Sequence, residues 1–111
     1  MCRTLEGGMD VYGLGIEVTT PASAQVRHVR LFGELDLAGA PILTERLVEA
    51  AGSTVELDLA GLTFIDAAGV GSLVTARNRI EASRNHLSVF GATGHVKRVL
   101  EILELADFLR D

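Results

Sequence analysis

The sequence predicts an α/β fold, a sheet covered by helices, with elements in the order β-β-α-β-α-β-α and a candidate short strand at the end. Three observations predict it. Short β-prone runs, bounded by turn residues, fall at Val26–Phe32, Thr54–Leu59 and Leu87–Phe90. Apolar residues recurring at helical spacing mark amphipathic segments between and after them. The two kinds of segment alternate along the chain, which is the pattern of strands joined through helices that cover a sheet.

Taken in order, residues 1–10 are polar and glycine-containing without periodicity, and read as a flexible leader ahead of a single domain over 11–111. Val11–Thr20 is a strand in which Ile16 and Val18 alternate with Glu17 and Thr19, and Pro21-Ala22-Ser23-Ala24 reads as a turn. The second strand carries Val26, Val29, Leu31 and Phe32, with Gly33 closing it; the two strands resemble a hairpin. Gly33 to Pro41 connects to a helix, with Pro41 at an early position where its missing N–H costs little. Ile42, Leu43, Leu47 and Ala50 share one helix face, and Gly52 ends the helix. Strand Thr54–Leu59 is followed by a loop through Ala60-Gly61, and a second helix starts at Asp66. Val70, Leu73, Val74 and Ile80 form its inner stripe, leaving Ser72, Thr75, Asn78, Arg79 and Glu81 outward; Asn85-His86 breaks it. Leu87–Phe90 is a short strand and 91–94 a loop. Val96, Val99, Leu100 and Leu103 mark the last helix, and 106–110 is a final strand or a frayed end. The expected core is Val29, Leu31, Leu57, Leu59, Phe64, Ile65, Leu73, Val89 and Leu100.

A chain of 111 residues is one domain and buries roughly two-thirds of its unfolded surface, enough for a core without staples. Apolar residues at 48% and charged residues at 23% give a globular rather than a disordered balance. The formal net charge of -5 argues against nucleic-acid binding and is compatible with a basic protein partner. Cys2 is the lone cysteine, so an internal disulfide is excluded and a reducing compartment is indicated. No run approaches the ~18 apolar residues of a membrane span, and the N-terminus lacks the apolar region of a secretory signal. The expected location is the cytoplasm, without direct membrane insertion.

Catalysis is not indicated. His28, His86 and His95 fall in different elements, and with one cysteine they make no metal-ligand set. There is no nucleophile elbow, no Gly-x-Gly-x-x-Gly, and no Gly-rich loop ending in Gly-Lys-Ser/Thr. The sequence therefore points to a non-enzymatic protein without metal or cofactor.

The chain is organised around Leu57 to Gly71. Asp66 stands ahead of small residues and an apolar periodic run, the arrangement of a helix N-cap. Ala67, Ala68, Gly69 and Gly71 leave the first turn of that helix with little side-chain cover, so another molecule can approach the backbone. The same small residues also suit nothing more than tight strand-to-helix packing.

These residues carry a resemblance. Asp58-Leu59-Ala60-Gly61, then Phe64-Ile65, then Asp66-Ala67-Ala68-Gly69-Val70-Gly71 resembles the signature of the STAS domain, the fold of bacterial anti-sigma-factor antagonists. Gly33-Glu34-Leu35-Asp36 resembles a second element of that family, and the likeness runs from about Val11 to the end. It implies a small mixed sheet flanked by helices. It also implies a protein that sequesters an anti-sigma factor, one with a kinase-like fold, to free a sigma factor. The partner surface implied is Asp36, Asp66, Ala67, Ala68, Gly69 and Ser72, with the acidic pair suited to a basic patch. One departure matters: the family's phosphorylatable hydroxyl corresponds to Ala68, and its neighbour is Ala67. Ser72, read as outward, and Thr63 are the alternative acceptors. Three regulatory states stay open: constitutive activity, regulation at another hydroxyl, or a ligand-sensing scaffold. A different setting for the same fold is an accessory subunit of a membrane ABC transporter that binds the ATPase subunit. The oligomeric state is not legible.

Overall fold

The computed structural model describes residues 13–20, 25–49 and 52–103. It has four strands and three helices: β1 (Leu14–Val18), β2 (Val26–Leu35), α1 (Ala40–Glu49), β3 (Thr54–Ile65), α2 (Ala67–Ala82), β4 (Leu87–Phe90) and α3 (Gly94–Ile102). The expected order of elements holds. The strands form one sheet in the order β1-β2-β3-β4, with β1 antiparallel to β2 and the pairs β2–β3 and β3–β4 parallel. A mixed sheet of this kind follows from the connections: the short link after β1 makes a hairpin, whereas α1 and α2 return the chain to the same end for parallel pairing. The expected leader, the Pro21–Ala24 turn, Ala50 and the 106–110 segment lie outside the described residues.

One apolar cluster holds the elements together. Val55, Leu57 and Leu59 of β3 alternate inward, joined by Val29, Leu31 and Leu35 of β2 and Val89 of β4. Leu43 and Leu47 of α1, Leu73, Ala76 and Ile80 of α2, and Val96 and Leu100 of α3 complete the cluster. Residues of the opposite strand phase are polar: Arg30 pairs with Glu17 at 3.2 Å, and His28 Nδ1 lies 3.3 Å from a Glu56 carboxylate oxygen. Exposed pairs like these contribute about 0–1 kcal/mol each, so the apolar cluster dominates stability. Leu57 sits between Val29 and Val89 in the strand register and is fully buried. Leu57→Ala is expected to cost ~3 kcal/mol, measured as a lower unfolding midpoint in denaturant; an unchanged midpoint would remove β3 from the core.

The structure corrects the sequence reading at the ends of its elements. β2 does not close at Gly33 but continues to Leu35, with Gly33 at φ +89°, a conformation that glycine adopts without steric cost. β3 does not loop at Ala60-Gly61; it runs on to Ile65 alongside β2. The register explains how. Arg30 faces Asp58 but Phe32 faces Gly61, and Gly33 faces Leu62 but Glu34 faces Phe64. β3 therefore carries one extra residue at each of two bulges. At the first, the Ala60 N–H is taken up by the Asp58 carboxylate at 2.8 Å; at the second, the Thr63 hydroxyl donates to the Gly33 carbonyl at 3.0 Å. Side chains can thus satisfy backbone groups that the ladder leaves aside.

Three further corrections concern exposure and helix ends. Phe64, expected in the core, is 38% exposed. Each bulge shifts the two-residue alternation by one place, so the buried positions run Leu59, Leu62, Ile65, and Phe64 turns outward. α2 ends at Ala82, ahead of Asn85-His86: the Ser83 N–H and hydroxyl both donate to the Ile80 carbonyl, and Arg84 then takes φ 66°. Leu103, expected on the buried stripe of α3, follows the end of that helix and is exposed.

Candidate functional site

β2 and β3 run parallel and end side by side, with Glu34 opposite Phe64 and Leu35 opposite Ile65. Their next residues, Asp36 and Asp66, therefore emerge at the same edge of the sheet. The two family-like sequence elements, thirty positions apart, become one structural unit.

Asp66 joins its parts. It is the N-cap of α2, with extended backbone (φ -118°, ψ -174°), and one carboxylate oxygen accepts from the Gly69 N–H at 2.9 Å. The other oxygen accepts from the Leu37 N–H at 3.2 Å, in the turn after β2. The Asp66 N–H itself donates to the Leu35 carbonyl at 3.3 Å. Asp36 closes the neighbouring turn: its carboxylate accepts from the Ala38 N–H at 3.1 Å and the Gly39 N–H at 3.3 Å, and its carbonyl accepts from the Ala40 N–H at 2.8 Å, leading into α1. Both aspartates are half-buried, and both spend carboxylate oxygens on backbone amides.

The small residues between them differ in what they present. Ala67 is exposed and Ala68 half-buried, so the first turn of α2 is bare, as the sequence suggests. Gly69 is buried against β2: a Cβ there would lie 2.4 Å from the Leu35 carbonyl oxygen. Ser72 is not outward. It is 5% exposed, and its hydroxyl donates to the Gly69 carbonyl at 2.6 Å, one turn back along α2. The helical stripe missed this because α2 packs both α1 and the sheet, which buries an arc wide enough to include Ser72 and Ala76 beside Val70, Leu73 and Ile80. A hydroxyl bonded to its own helix is tolerated in such an arc. Of the two alternative hydroxyls, Thr63 alone is exposed.

Two surface residues beside this unit escaped the sequence reading. Leu37 is 74% exposed on the turn held by both aspartates. The exposed Phe64 ring stacks on His95, the second residue of α3, with centroids 5.1 Å apart and planes at 9°. The His95 Nε2 lies 3.2 Å from the Ile65 carbonyl, so the start of α3 is tied to the end of β3. The signal for the first was a leucine inside an Asp-Leu-Ala-Gly run, whose Asp and Gly are turn residues. Nothing in the alternation pattern betrays the bulge that turns out the second.

Among the described residues, no group of three or more His, Cys, Asp or Glu is placed to hold a metal ion, and no helix is long and apolar enough to cross a membrane. What the arrangement offers is a surface turn held by carboxylate–amide hydrogen bonds.

Comparisons with known proteins agree on the fold. A family model described as "Mlab, STAS domain" matches residues 18–111. The chain is 29% identical over 87 residues to an anti-sigma-B factor antagonist of Listeria monocytogenes, covering 74% of this chain and 76% of that one. Among solved structures, the anti-sigma factor antagonist SpoIIAA in its unphosphorylated form superposes with a TM-score of 0.75 at 21% identity, over 86% of each chain. An anti-sigma factor antagonist from Mycobacterium paratuberculosis gives 0.73 at 17% identity, over 91% of this chain and 86% of that one.

Proposed function

The chain belongs to the STAS domain family, and from that premise we propose that it is a non-enzymatic regulator that binds an anti-sigma factor and so frees a sigma factor. The observation that carries this reading is the bare first turn of α2, with Ala67 exposed and Ala68 half-exposed beside a turn locked by Asp36 and Asp66, in a chain similar to anti-sigma-B factor antagonists. A partner that settles on this turn meets small side chains and backbone rather than a mobile surface, which lowers the entropy cost of docking.

Regulation differs from that implied by the family resemblance. A phosphate brings about -1.5 to -2 charge and three acceptor oxygens, which a helix N-terminus tolerates and a docked interface does not. Ala67 and Ala68 have no oxygen to receive it, and the Ser72 hydroxyl is buried. We therefore read the protein as constitutively competent to bind, with Thr63 as the accessible alternative acceptor. Incubation with a cognate kinase and ATP, followed by intact mass and peptide mapping, is expected to return no phosphate on residues 66–72. Phosphate on Thr63 would move the reading to regulation at that bulge.

The function is tested by titration calorimetry against each purified anti-sigma factor with a kinase-like fold from the source genome. One of them is expected to bind. If none binds and affinity purification instead returns the ATPase subunit of an ABC transporter, the accessory-subunit setting replaces the antagonist reading.

A further inference from the structure

A trans peptide points its N–H and its C=O in opposite directions, and the trans unit between Ile65 and Asp66 is held at both ends. Its N–H donates to the Leu35 carbonyl of β2 at 3.3 Å. Its carbonyl therefore faces away from β2, toward the side of β3 that β4 flanks. β4 pairs with β3 only from Val55 to Asp58, well short of Ile65, so among the described residues no strand reaches that carbonyl. His95 of α3 does, with Nε2 at 3.2 Å. A carbonyl only accepts, so Nε2 carries the hydrogen and donates it. The imidazole is oriented for this by stacking on Phe64, with centroids 5.1 Å apart and planes at 9°.

The peptide that His95 holds is the one that enters the N-cap of α2. Asp66 contributes its N–H to that plane, and its two carboxylate oxygens accept from Gly69 in α2 and from Leu37 in the turn after β2. Rotating the 65–66 peptide would displace Asp66 and lengthen both bonds. At the start of α3, the N-cap Thr93 makes no side-chain hydrogen bond to the helix, while Val96 and Leu100 bury the inner face. His95 thus gives the first turn of α3 a polar tie to the end of β3. We propose that His95 is a positioning residue for the site: by donating to the Ile65 carbonyl it sets the plane of the 65–66 peptide, and so couples the seating of α3 to the Asp66 cap and to the turn that Asp66 holds. The coupling is a property of the fold; its effect on a partner rests on the antagonist reading above.

Amide hydrogen exchange, followed by NMR on the full chain, tests this with two variants. His95 is exposed, so neither removes a core residue. His95→Phe keeps a ring to stack on Phe64 and removes the donor. His95→Gln removes the ring and keeps an N–H donor at about the reach of Nε2. In His95→Phe the Asp66 amide, at the other end of the same peptide, should exchange about 5-fold faster than in the parent, as the loss of one net hydrogen bond implies. The Leu37 and Gly69 amides should follow it, and His95→Gln should restore protection at all three. A residue that only packs α3 gives another pattern, with faster exchange within α3 and Asp66 unmoved. That pattern overturns the positioning role. Asp66 exchanging as fast in His95→Gln as in His95→Phe overturns the donor. Binding is read separately, by calorimetry against the same purified anti-sigma factors, where His95→Phe should bind ~3-fold or more weakly than His95→Gln. Equal binding by the two, with the exchange change present, overturns the effect on the partner. If none of the anti-sigma factors binds the parent chain while the exchange pattern holds, the antagonist reading falls and the positioning role stands.

Discussion

Gly69→Ala is expected to destabilise the fold by roughly 4 kcal/mol, above the usual 1–3 for overpacking, and Gly71→Ala, two residues along the same helix, to stabilise it. The two substitutions are chemically identical. Each replaces a helical glycine by the best helix former, a gain of about 0.5–1 kcal/mol taken alone. They differ in what the new methyl meets. At Gly71 nothing stands within 4 Å of the added Cβ, so the gain is realised. At Gly69 the Cβ would lie 2.4 Å from the Leu35 carbonyl oxygen, 2.8 Å from Ile65 Cγ1 and 2.9 Å from Leu35 Cγ. The nearest atom belongs to backbone and already accepts the Asp66 N–H, so relief requires α2 to lift from β2. Lifting it would stretch the bonds from Asp66 to the Leu37 amide and the Leu35 carbonyl together. Thermal unfolding is the measurement, with the Gly69 variant falling by on the order of 15 °C or more. Equal melting temperatures for the two variants would show that α2 does not press on the end of β2.

That contact also marks where sequence reading stops. Element order, the hairpin and the β4 strand follow from short-range patterns, because the period of a strand or helix is a property of neighbouring residues. The N-cap at Asp66 was legible for the same reason. Bulges are not local in this sense. Ala60-Gly61 looks like a loop until β2 is known to run beside it to Leu35, when the strand continues to pair across the extra residue. The error then spreads to Phe64, because two adjacent residues of a strand face opposite sides and only Ile65 could be inward. Ser72 fails through packing on two sides of α2, which a single stripe does not represent. At the site, Asp66 was legible as a helix cap and the pair Asp36 and Asp66 as acidic residues suited to a basic patch, and the structure puts their oxygens on the Leu37, Ala38, Gly39 and Gly69 amides. Carboxylate identity is visible in a sequence; which amide it accepts from, when the amide is 29 residues away, is not.

Ala68→Asp is expected to separate folding from binding. Ala68 is the second residue of α2, half-buried, at the position where the family resemblance implies a phosphorylatable hydroxyl. A carboxylate there lies close to the amides of the first helical turn and should stabilise the fold by ~0.3–1 kcal/mol. The Asp66 carboxylate nearby opposes this in part, but it is itself held by two amides, so the melting temperature should stay level or rise slightly. In a complex the same charge would be stripped of water against a partner surface that meets small apolar side chains. Desolvated charge without a partner costs several kcal/mol, and even ~1.4 kcal/mol of it is a 10-fold loss. Ala68→Asn has nearly the same shape without the charge, and should lose much less affinity. The expected pattern is therefore unchanged stability in both variants and a loss of anti-sigma-factor binding of at least ~10-fold confined to Ala68→Asp. Equal losses in the two would assign the effect to size, and the first turn would be a steric contact rather than a charge-sensitive one. If Ala68→Asp bound as tightly as the parent, the interface would lie away from α2, and a negative charge on this turn could not act as its switch.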